Sequence, residues 1–293
     1  MAFLRRGSAS RLDQGPRAAL AGVLSNPTFE LIPLKNVHDQ AMSLPRGATV
    51  SVTASPAKGI EATVELSIAL EAEGFRAIPH LSARMVRDLA HLRELLARLA
   101  DAGIDRAFVI GGDADEPGDF PDGLSLLQAM ADLGSPLREI GIACYPQGHA
   151  VISDGALARA LRDKAPFAAY MTTQLCFDPA AIAAFIAARR ADGITLPVKL
   201  GIPGVAEVTK LLSISARIGV KDTGRFLSRN VRFVGELLTS GGIYRPTGLL
   251  EKLVPVIADP AAKVIDLHLY TFNQVLATES WRAEFLTALR TPA

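Results

Sequence analysis

Polar side chains that follow short apolar segments are the residues of this sequence most able to do chemistry. In the clearest case, the segment 106–113, a run of β-forming residues is followed by Gly111, Gly112 and Asp113. Such a run, without a polar break, is typical of a strand buried on both faces. The two glycines allow a sharp turn or a close approach to a ligand. The pattern predicts that Asp113 stands at the carboxyl end of a parallel strand, the end where α/β proteins carry their active sites.

A second carboxylate, Glu30, interrupts an apolar segment between Phe29 and Leu31. A charged group is costly there unless it is paired or used. One interpretation is a structural carboxylate that ties the first strand to a neighbouring loop. The other is a desolvated acid that gives a proton to a substrate.

Other polar residues at or near the ends of apolar segments have more than one interpretation. His80 fits a core histidine as well as a ligand contact, whereas the loop residue His149 fits a ligand contact better. Lys199 lies within an apolar segment, where it could form a Schiff base or pair with an acid. No spacing of histidine, cysteine and acidic residues matches a metal motif. The remaining polar residues at or near strand ends are Thr53, Tyr145, Gln147, Gln174, Tyr270 and Asn273.

The composition excludes several classes of protein. The chain has 293 residues, with 31 basic and 30 acidic side chains, so it carries no electrostatic signature of nucleic-acid binding. No apolar run reaches the roughly 18 residues of a membrane span, and no signal peptide is visible. Cys144 and Cys176 are interpreted as small core residues of a reduced, cytoplasmic protein, with a redox pair as the alternative.

The order of apolar segments predicts the fold. Eight strands alternate with helices, which favours a (β/α)8 TIM barrel; the alternative, a doubly wound open sheet, usually needs a glycine fingerprint that is absent. Residues 1–27 are predicted as an N-terminal extension and 28–293 as a single (β/α)8 catalytic domain. A helical insert before the last strand, Val205 to Asp259, is expected to hold three or four helices and no strand. The strands are predicted at 29–34, 48–54, 76–81, 106–113, 139–145, 167–175, 196–201 and 263–270.

Seven short motifs, in order along the chain, resemble those of the methylenetetrahydrofolate reductase family, whose catalytic domain is a (β/α)8 barrel. Each is weak alone, but together they cover roughly residues 28 to 290. The motifs are Phe-Glu-Leu-Ile-Pro at 29–33, Pro-His-Leu-Ser at 79–82, Gly-Gly-Asp at 111–113, Tyr-Pro with His149 at 145–149, Thr-Gln-Leu-Cys-Phe-Asp at 173–178, Gly-Ile-Pro at 201–203 and Tyr-Thr-Phe-Asn at 270–273.

The resemblance implies a role for each matching residue. Glu30 would be the general acid that opens the imidazolidine ring of the folate, and Asp113 would stabilise the iminium cation and the pterin. Two carboxylates in different environments can divide these tasks. Gln174, Phe177 and Tyr270 would bind the folate. The residues of the cofactor side would be Thr53, His80, Tyr145, His149 and Lys164.

The departures from the family pattern fall mainly on the flavin side. Gly111 replaces the arginine of Arg-Gly-Asp, and the basic cluster for the FAD phosphates is reduced to Arg162 and Lys164. Two of three aromatic residues after Gln174 are replaced by Leu175 and Cys176. FAD is therefore expected from the family but weakly held here, and direct hydride transfer from NADH or NADPH is favoured.

The sequence thus predicts a cytoplasmic enzyme that reduces 5,10-methylenetetrahydrofolate to 5-methyltetrahydrofolate with NADH or NADPH. Its partner is the folate substrate, without nucleic acid, membrane or metal. Whether it forms a homo-oligomer stays open, with the helical insert as a contact surface. Two alternatives remain: a Schiff-base aldolase or lyase that uses Lys199, and a tetrahydrofolate-binding methyl-carrier barrel without a redox step.

Overall fold

Eight parallel strands form the centre of the protein. The computed structural model describes residues 12–207 and 242–291. The barrel strands are β1 (Thr28–Leu31), β2 (Thr49–Val52), β3 (Arg76–Ser82), β4 (Arg106–Ile110), β5 (Glu139–Cys144), β6 (Tyr170–Thr173), β7 (Val198–Pro203) and β10 (Val264–Tyr270).

The barrel is closed, because β1 pairs in parallel with β2 on one side and with β10 on the other. Going round the barrel, the strands follow their order in the chain. This closure confirms the predicted (β/α)8 barrel and excludes the open doubly wound sheet. The carboxyl ends of all eight strands therefore share one mouth.

Helices follow the strands around the outside, and α1 precedes them. Their bounds are α1 (Gln14–Ser25), α2 (Val37–Ala41), α3 (Gly59–Ala72), α4 (Leu89–Asp101), α5 (Gly123–Asp132), α6 (Asp154–Lys164), α7 (Pro179–Ala191), α8 (Thr247–Ile257) and α9 (Val275–Arg290). The leucine side chains of α4 are buried except for Leu89, which is 39% exposed. Leu89 is the first residue after the N-cap Asp88, so it lies beyond the packed face.

Six of the eight barrel strands are shorter than the sequence predicts, and β1 and β6 show two reasons. β1 ends at Leu31, because the next residue, Ile32, hydrogen-bonds to the side chain of Asn273. β6 begins at Tyr170, because Ala165–Phe167 form a 3-10 turn. Both changes leave the polar residues at the carboxyl ends of these strands.

The expectation that Val205 to Asp259 holds no strand is wrong. β8 (Ala206–Glu207) and β9 (Ile243–Tyr244) pair antiparallel as a small separate sheet. Segments of two residues are too short to give a periodic pattern. α8 is one of the predicted helices, and residues 208–241, where the others were expected, lie outside the described residues.

The first helix packs on the barrel through Leu20 and Leu24, which are completely buried. Arg282 of α9 donates a hydrogen bond to the Leu24 carbonyl oxygen, and Arg17 donates to the Leu289 carbonyl oxygen at 2.6 Å. The assignment of 1–27 as an extension separate from the catalytic domain stays a prediction.

Candidate active site

Glu30 lies near the carboxyl end of β1, and its side chain is 12% exposed. Its neighbours Phe29 and Leu31 belong to the hydrophobic core, at 2% and 0% exposure. Because side chains alternate along a strand, Glu30 faces into the barrel. Its Oε2 lies 3.1 Å from Nε2 of His268, a buried residue of β10. The Glu30 carboxyl group thus lies at the bottom of the mouth, and His268 contacts it from the barrel interior.

The end of β10 fixes the backbone around Glu30. The hydroxyl of Thr271 donates a hydrogen bond to the Glu30 carbonyl oxygen. The amide of Asn273 donates to the Ile32 carbonyl oxygen and accepts from the Ile32 N–H, both at 2.9 Å. Phe272 and Asn273 have positive φ angles of 51° and 57°, a conformation that costs free energy in residues other than glycine. Side-chain hydrogen bonds thus extend the β1–β10 pairing past the end of the ladder.

Two tyrosines, Tyr270 and Tyr145, lie near Glu30 and Asp113 at the mouth. Burial raises the pKa of Tyr270 well above its ordinary value, and the nearby Glu30 and Tyr145 raise it further. Burial is also the main cause of the raised pKa of Tyr145, and Asp113 contributes. Tyr270 donates a hydrogen bond to the Thr173 carbonyl oxygen at 3.2 Å. Glu30 and Asp113 thus each lie close enough to one of these two phenols to raise its pKa.

The loop after β4 presents Asp113, which is exposed at the mouth. The preceding Gly112 has φ +89°, and a Cβ there would lie 1.8 Å from the Ser82 hydroxyl oxygen. The absence of a side chain at Gly112 therefore lets this loop pack closely against Ser82 at the end of β3. Arg84 holds the far side of this loop by donating to the carbonyl oxygens of Ala114 and Asp115, at 2.7 and 2.9 Å.

Gln174 and Phe177 lie two strands further round the mouth, after β6. Oε1 of Gln174 accepts a hydrogen bond from the Leu175 N–H at 2.8 Å. The ring of Phe177 meets that of Tyr244 edge-on, with centroids 5.7 Å apart. The two rings belong to an apolar cluster whose other members are Leu175, Ala206, Tyr270 and Phe272. Of the members of this cluster, the aromatic wall, Phe177 and Tyr270 are partly exposed, and their rings could pack against a ring of the substrate.

His80 lies deeper than a cofactor contact would. Its ring is 5% exposed, and its Nε2 is 2.6 Å from the Ser51 hydroxyl oxygen. Burial lowers the pKa of His80 to about 3, and His268 contributes, so the ring is neutral near neutral pH. Thr53, which follows β2, is half-buried at the mouth, where its carbonyl oxygen accepts from the Thr63 hydroxyl.

His149 and Lys164 lie on the β5 side. The ring of His149 stacks edge-on against Tyr145, with centroids 5.4 Å apart, and its Nδ1 accepts from the Val151 N–H. Lys164, in the last turn of α6, is largely buried, and this burial lowers the pKa of its ammonium group. Arg162 is exposed. The structure brings Tyr145 and His149 together but turns Lys164 partly into the protein.

Lys199 does not reach the mouth. It lies near the start of β7, is 5% exposed, and has its Nζ 3.7 Å from Oδ2 of Asp266. The same ammonium group lies 4.3 Å from the centre of the Tyr170 ring and donates to the Thr28 hydroxyl at 3.4 Å. Of the two interpretations of Lys199, the pairing with an acid inside the barrel describes its surroundings.

A cavity of about 420 Å³ opens between the loops after β2, β3 and β4. Its volume is within the usual range for small-molecule sites, roughly 300–1,000 Å³. Charged side chains of both signs line it, namely Glu61, Arg84, Arg87 and Glu116. The cavity is thus a second polar surface beside the mouth.

Within residues 12–207 and 242–291, no three histidine, cysteine or acidic side chains come together as a metal site requires. In the same residues, no helix combines the length and the apolar character needed to cross a bilayer.

Sequence reasoning missed two residues of the site. His268 is flanked by leucines in β10, and only its place two residues before Tyr270 could have indicated that it faces inward. Tyr244 belongs to a strand too short to be recognised from its pattern. Both are brought to the site by contacts between residues distant in the chain.

A closed barrel with polar side chains, two carboxylates among them, at the carboxyl ends of its strands has the architecture of a (β/α)8 enzyme. The family model described as methylenetetrahydrofolate reductase matches residues 34–281. The chain belongs to this family. The match begins just after Glu30, so the role of this residue rests on its motif and its position in the structure.

Solved structures with a similar course of the chain have low sequence identity. A protein of Burkholderia cenocepacia J2315 assigned as a phosphonomutase is 13% identical over 94% of this chain and 99% of its own, with a TM-score of 0.47. One assigned as a lyase or mutase, from the same organism, is 15% identical over 95% and 85%, with a TM-score of 0.45. The GH18 chitinase ChiB of Flavobacterium johnsoniae is 11% identical over 90% and 94%, with a TM-score of 0.49. No conclusion about activity rests on these similarities.

Proposed function

We propose that this enzyme reduces 5,10-methylenetetrahydrofolate to 5-methyltetrahydrofolate with NADH or NADPH. Membership of the family supports a folate reductase. The observation that carries the proposal further is the position of Glu30, a partly buried carboxyl group at the floor of the mouth with its inner oxygen bound to His268. Such a group is suited to give a proton to a bound substrate.

The reaction needs an acid and an anion at different points of the folate. Glu30 would protonate a nitrogen of the imidazolidine ring, so that the carbon–nitrogen bond breaks and an iminium cation forms. Asp113, exposed at the opposite side of the mouth, would stabilise this cation. Gln174 would hydrogen-bond the pterin, and the aromatic wall with Phe177 and Tyr270 would hold an aromatic ring of the folate.

The flavin of the family fits this chain poorly. An FAD diphosphate needs cations or free N–H groups. On the β5 side, Arg162 is exposed, and Lys164 is held where burial lowers the pKa of its ammonium group. Asp154 already occupies the first turn of α6 behind the N-cap Ser153. These features favour a route in which the reductant transfers its hydride to the folate directly.

Direct transfer requires the nicotinamide and the folate to be bound together, with donor and acceptor carbons roughly 3–3.5 Å apart. The cavity between the loops after β2, β3 and β4 offers room for the reductant beside the mouth. Thr53, in the loop after β2, and His149, in the loop after β5, would contact the nicotinamide where it meets the mouth. His80 would support it only from beneath, since its ring is 5% exposed. A cytoplasmic location and a homo-oligomer remain predictions.

Initial-rate kinetics test the proposal. With purified protein free of FAD, rates at several fixed folate concentrations should give intersecting double-reciprocal lines, with 5-methyltetrahydrofolate as the product. Added FAD should leave the rate unchanged. Parallel lines, or a rate that depends on FAD, would show that a flavin relays the hydride. Folate binding without oxidation of NADH or NADPH would instead favour a methyl-carrier barrel.

A further inference from the structure

The contact between His268 and Glu30 joins the first and last strands of the barrel. In the β1–β10 pairing, His268 is level with Thr28, and Tyr270 is level with Glu30. His268 therefore lies one inward-facing position deeper than Glu30. Its Nε2 reaches up to Oε2 of Glu30, at 3.1 Å, from the side opposite the mouth.

The ring of His268 is held by aromatic neighbours. Its centroid lies 6.3 Å from that of Phe108, nearly parallel to it, and 5.0 Å from that of Tyr270, edge-on. The residue is 3% exposed. Because packing fixes the ring, the direction of its Nε2 is fixed as well, and only one oxygen of Glu30 can bind to it.

Inside the barrel, the ring centroid of His80 lies 6.5 Å from that of His268, and burial lowers the pKa of His80 to about 3, so this neighbour is neutral. Lys199 and Asp266, also on the inner face, pair with each other. An imidazole N–H at Nε2 of His268 is a donor suited to a carboxylate oxygen.

We propose that His268 is the positioning residue of the general acid, donating its Nε2–H to Oε2 of Glu30 and turning the other oxygen, Oε1, toward the substrate. This inference rests on the proposed function for its catalytic consequence, although the hydrogen bond itself does not depend on the reaction.

The hydrogen bond from His268 to Glu30 is stronger after proton transfer than before it. In the proposed step, the acid form of Glu30 carries its proton on Oε1. That proton moves to the folate nitrogen, the carbon–nitrogen bond breaks with its electron pair going to this nitrogen, and Glu30 becomes a carboxylate. A hydrogen bond to a charged acceptor is roughly twice as strong as one between neutral groups. His268 therefore stabilises the transition state more than the ground state. Water at the mouth reprotonates Glu30 after product release.

Two substitutions separate hydrogen-bond donation from packing. His268→Leu removes the N–H, and we expect kcat to fall about 100-fold, the scale for losing one donor to a developing charge, with little change in the KM for folate. His268→Gln keeps an amide N–H that can reach Glu30, so most of the activity should return. The matched control is His91→Leu, because Nε2 of His91 lies 3.1 Å from Oε1 of Glu61, outside the barrel. This control should lose stability without losing kcat.

A spectroscopic measurement tests the hydrogen bond independently of activity, and it also serves if His268→Leu fails to fold. In protein labelled with 15N-histidine, the His268 signals, assigned by their loss in His268→Gln, should show a protonated Nε2. They should shift in Glu30→Ala, while those of His91 stay unchanged. Unshifted His268 signals would overturn the proposal, as would a folded His268→Gln as inactive as His268→Leu, or an unchanged kcat in His268→Leu. Shifted signals in a protein without reductase activity would refute the proposed function and leave the hydrogen bond standing.

Discussion

The buried pair Lys199–Asp266 gives a prediction whose size can be worked out from the structure. Burial raises the pKa of Asp266 from 3.8 to about 7, even though the ammonium group of Lys199, 3.7 Å away, acts to lower it. The shift of about 3 pKa units corresponds to about 4 kcal/mol. Lys199→Met removes the cation and leaves the carboxyl group in place.

The sign of the pH dependence follows from the raised pKa. The native protein keeps a proton on Asp266 that the unfolded chain releases between about pH 4 and pH 7. The stabilisation from this proton is complete below pH ~4 and is lost as the pH rises through about 7. In Lys199→Met the pKa of Asp266 should rise further, so the loss extends above pH 7.

The assay is urea unfolding at pH 5.5 and at pH 8. At pH 8, Lys199→Met should lower the free energy of unfolding by roughly 3–5 kcal/mol, since Asp266 must then either stay charged without its partner or take up a proton from the solvent. At pH 5.5 the loss should be smaller, because Asp266 can be protonated. The double variant with Asp266→Asn should recover much of the stability. The exposed Lys263→Met, on the same end of β10, should change it by less than about 0.5 kcal/mol.

Equal losses at the two pH values would refute this reasoning, as would a loss below about 1 kcal/mol at pH 8. Turnover per folded molecule should not change in Lys199→Met, because Lys199 lies near the start of β7, away from the mouth. A loss of turnover without a loss of stability would instead return Lys199 to the role of a nucleophile.

Three further predictions concern the mouth. Glu30→Gln should lower turnover about 100-fold or more with little change in folate affinity; near-normal steady-state rates would mean that Glu30 is structural. Asp113→Asn should cost about 3 kcal/mol in kcat, and a rise in KM alone would make Asp113 a binding residue. Gly112→Ala should destabilise the protein by roughly 1–3 kcal/mol, since φ is +89° and the new Cβ would lie 1.8 Å from the Ser82 hydroxyl oxygen. Gly111→Ala has room, with the nearest atom 4.0 Å away, so equal thermal melting shifts of the two variants would contradict this account.

The positions of Glu30, Asp113 and Gln174 at strand ends could be predicted from the sequence. Strand ends are marked locally, by an apolar run followed by glycine or polar residues. Parallel strands bring their carboxyl ends to one edge, so the order of the motifs was enough to expect a common mouth. Whether these residues do the proposed chemistry stays a prediction.

The depth of the polar side chains could not be predicted in the same way. His80 and Lys199 each belong to an apolar strand, and the sequence left both a buried and a ligand-facing position open. The register of each strand against its neighbours decides the depth, and it depends on residues far away in the chain. In this structure, register places His80 beside Ser51 and Lys199 beside Asp266.

The sequence by itself determined the alternation of strands and helices, the closed barrel that it favours, and the strand ends on which Glu30 and Asp113 lie, because these features follow from local patterns. Only the tertiary structure decided that His268 supports Glu30, that Tyr244 completes the aromatic wall, and that β8 and β9 pair. Closure of the barrel joins the first strand to the last, and no local pattern reports a contact between residues 238 positions apart.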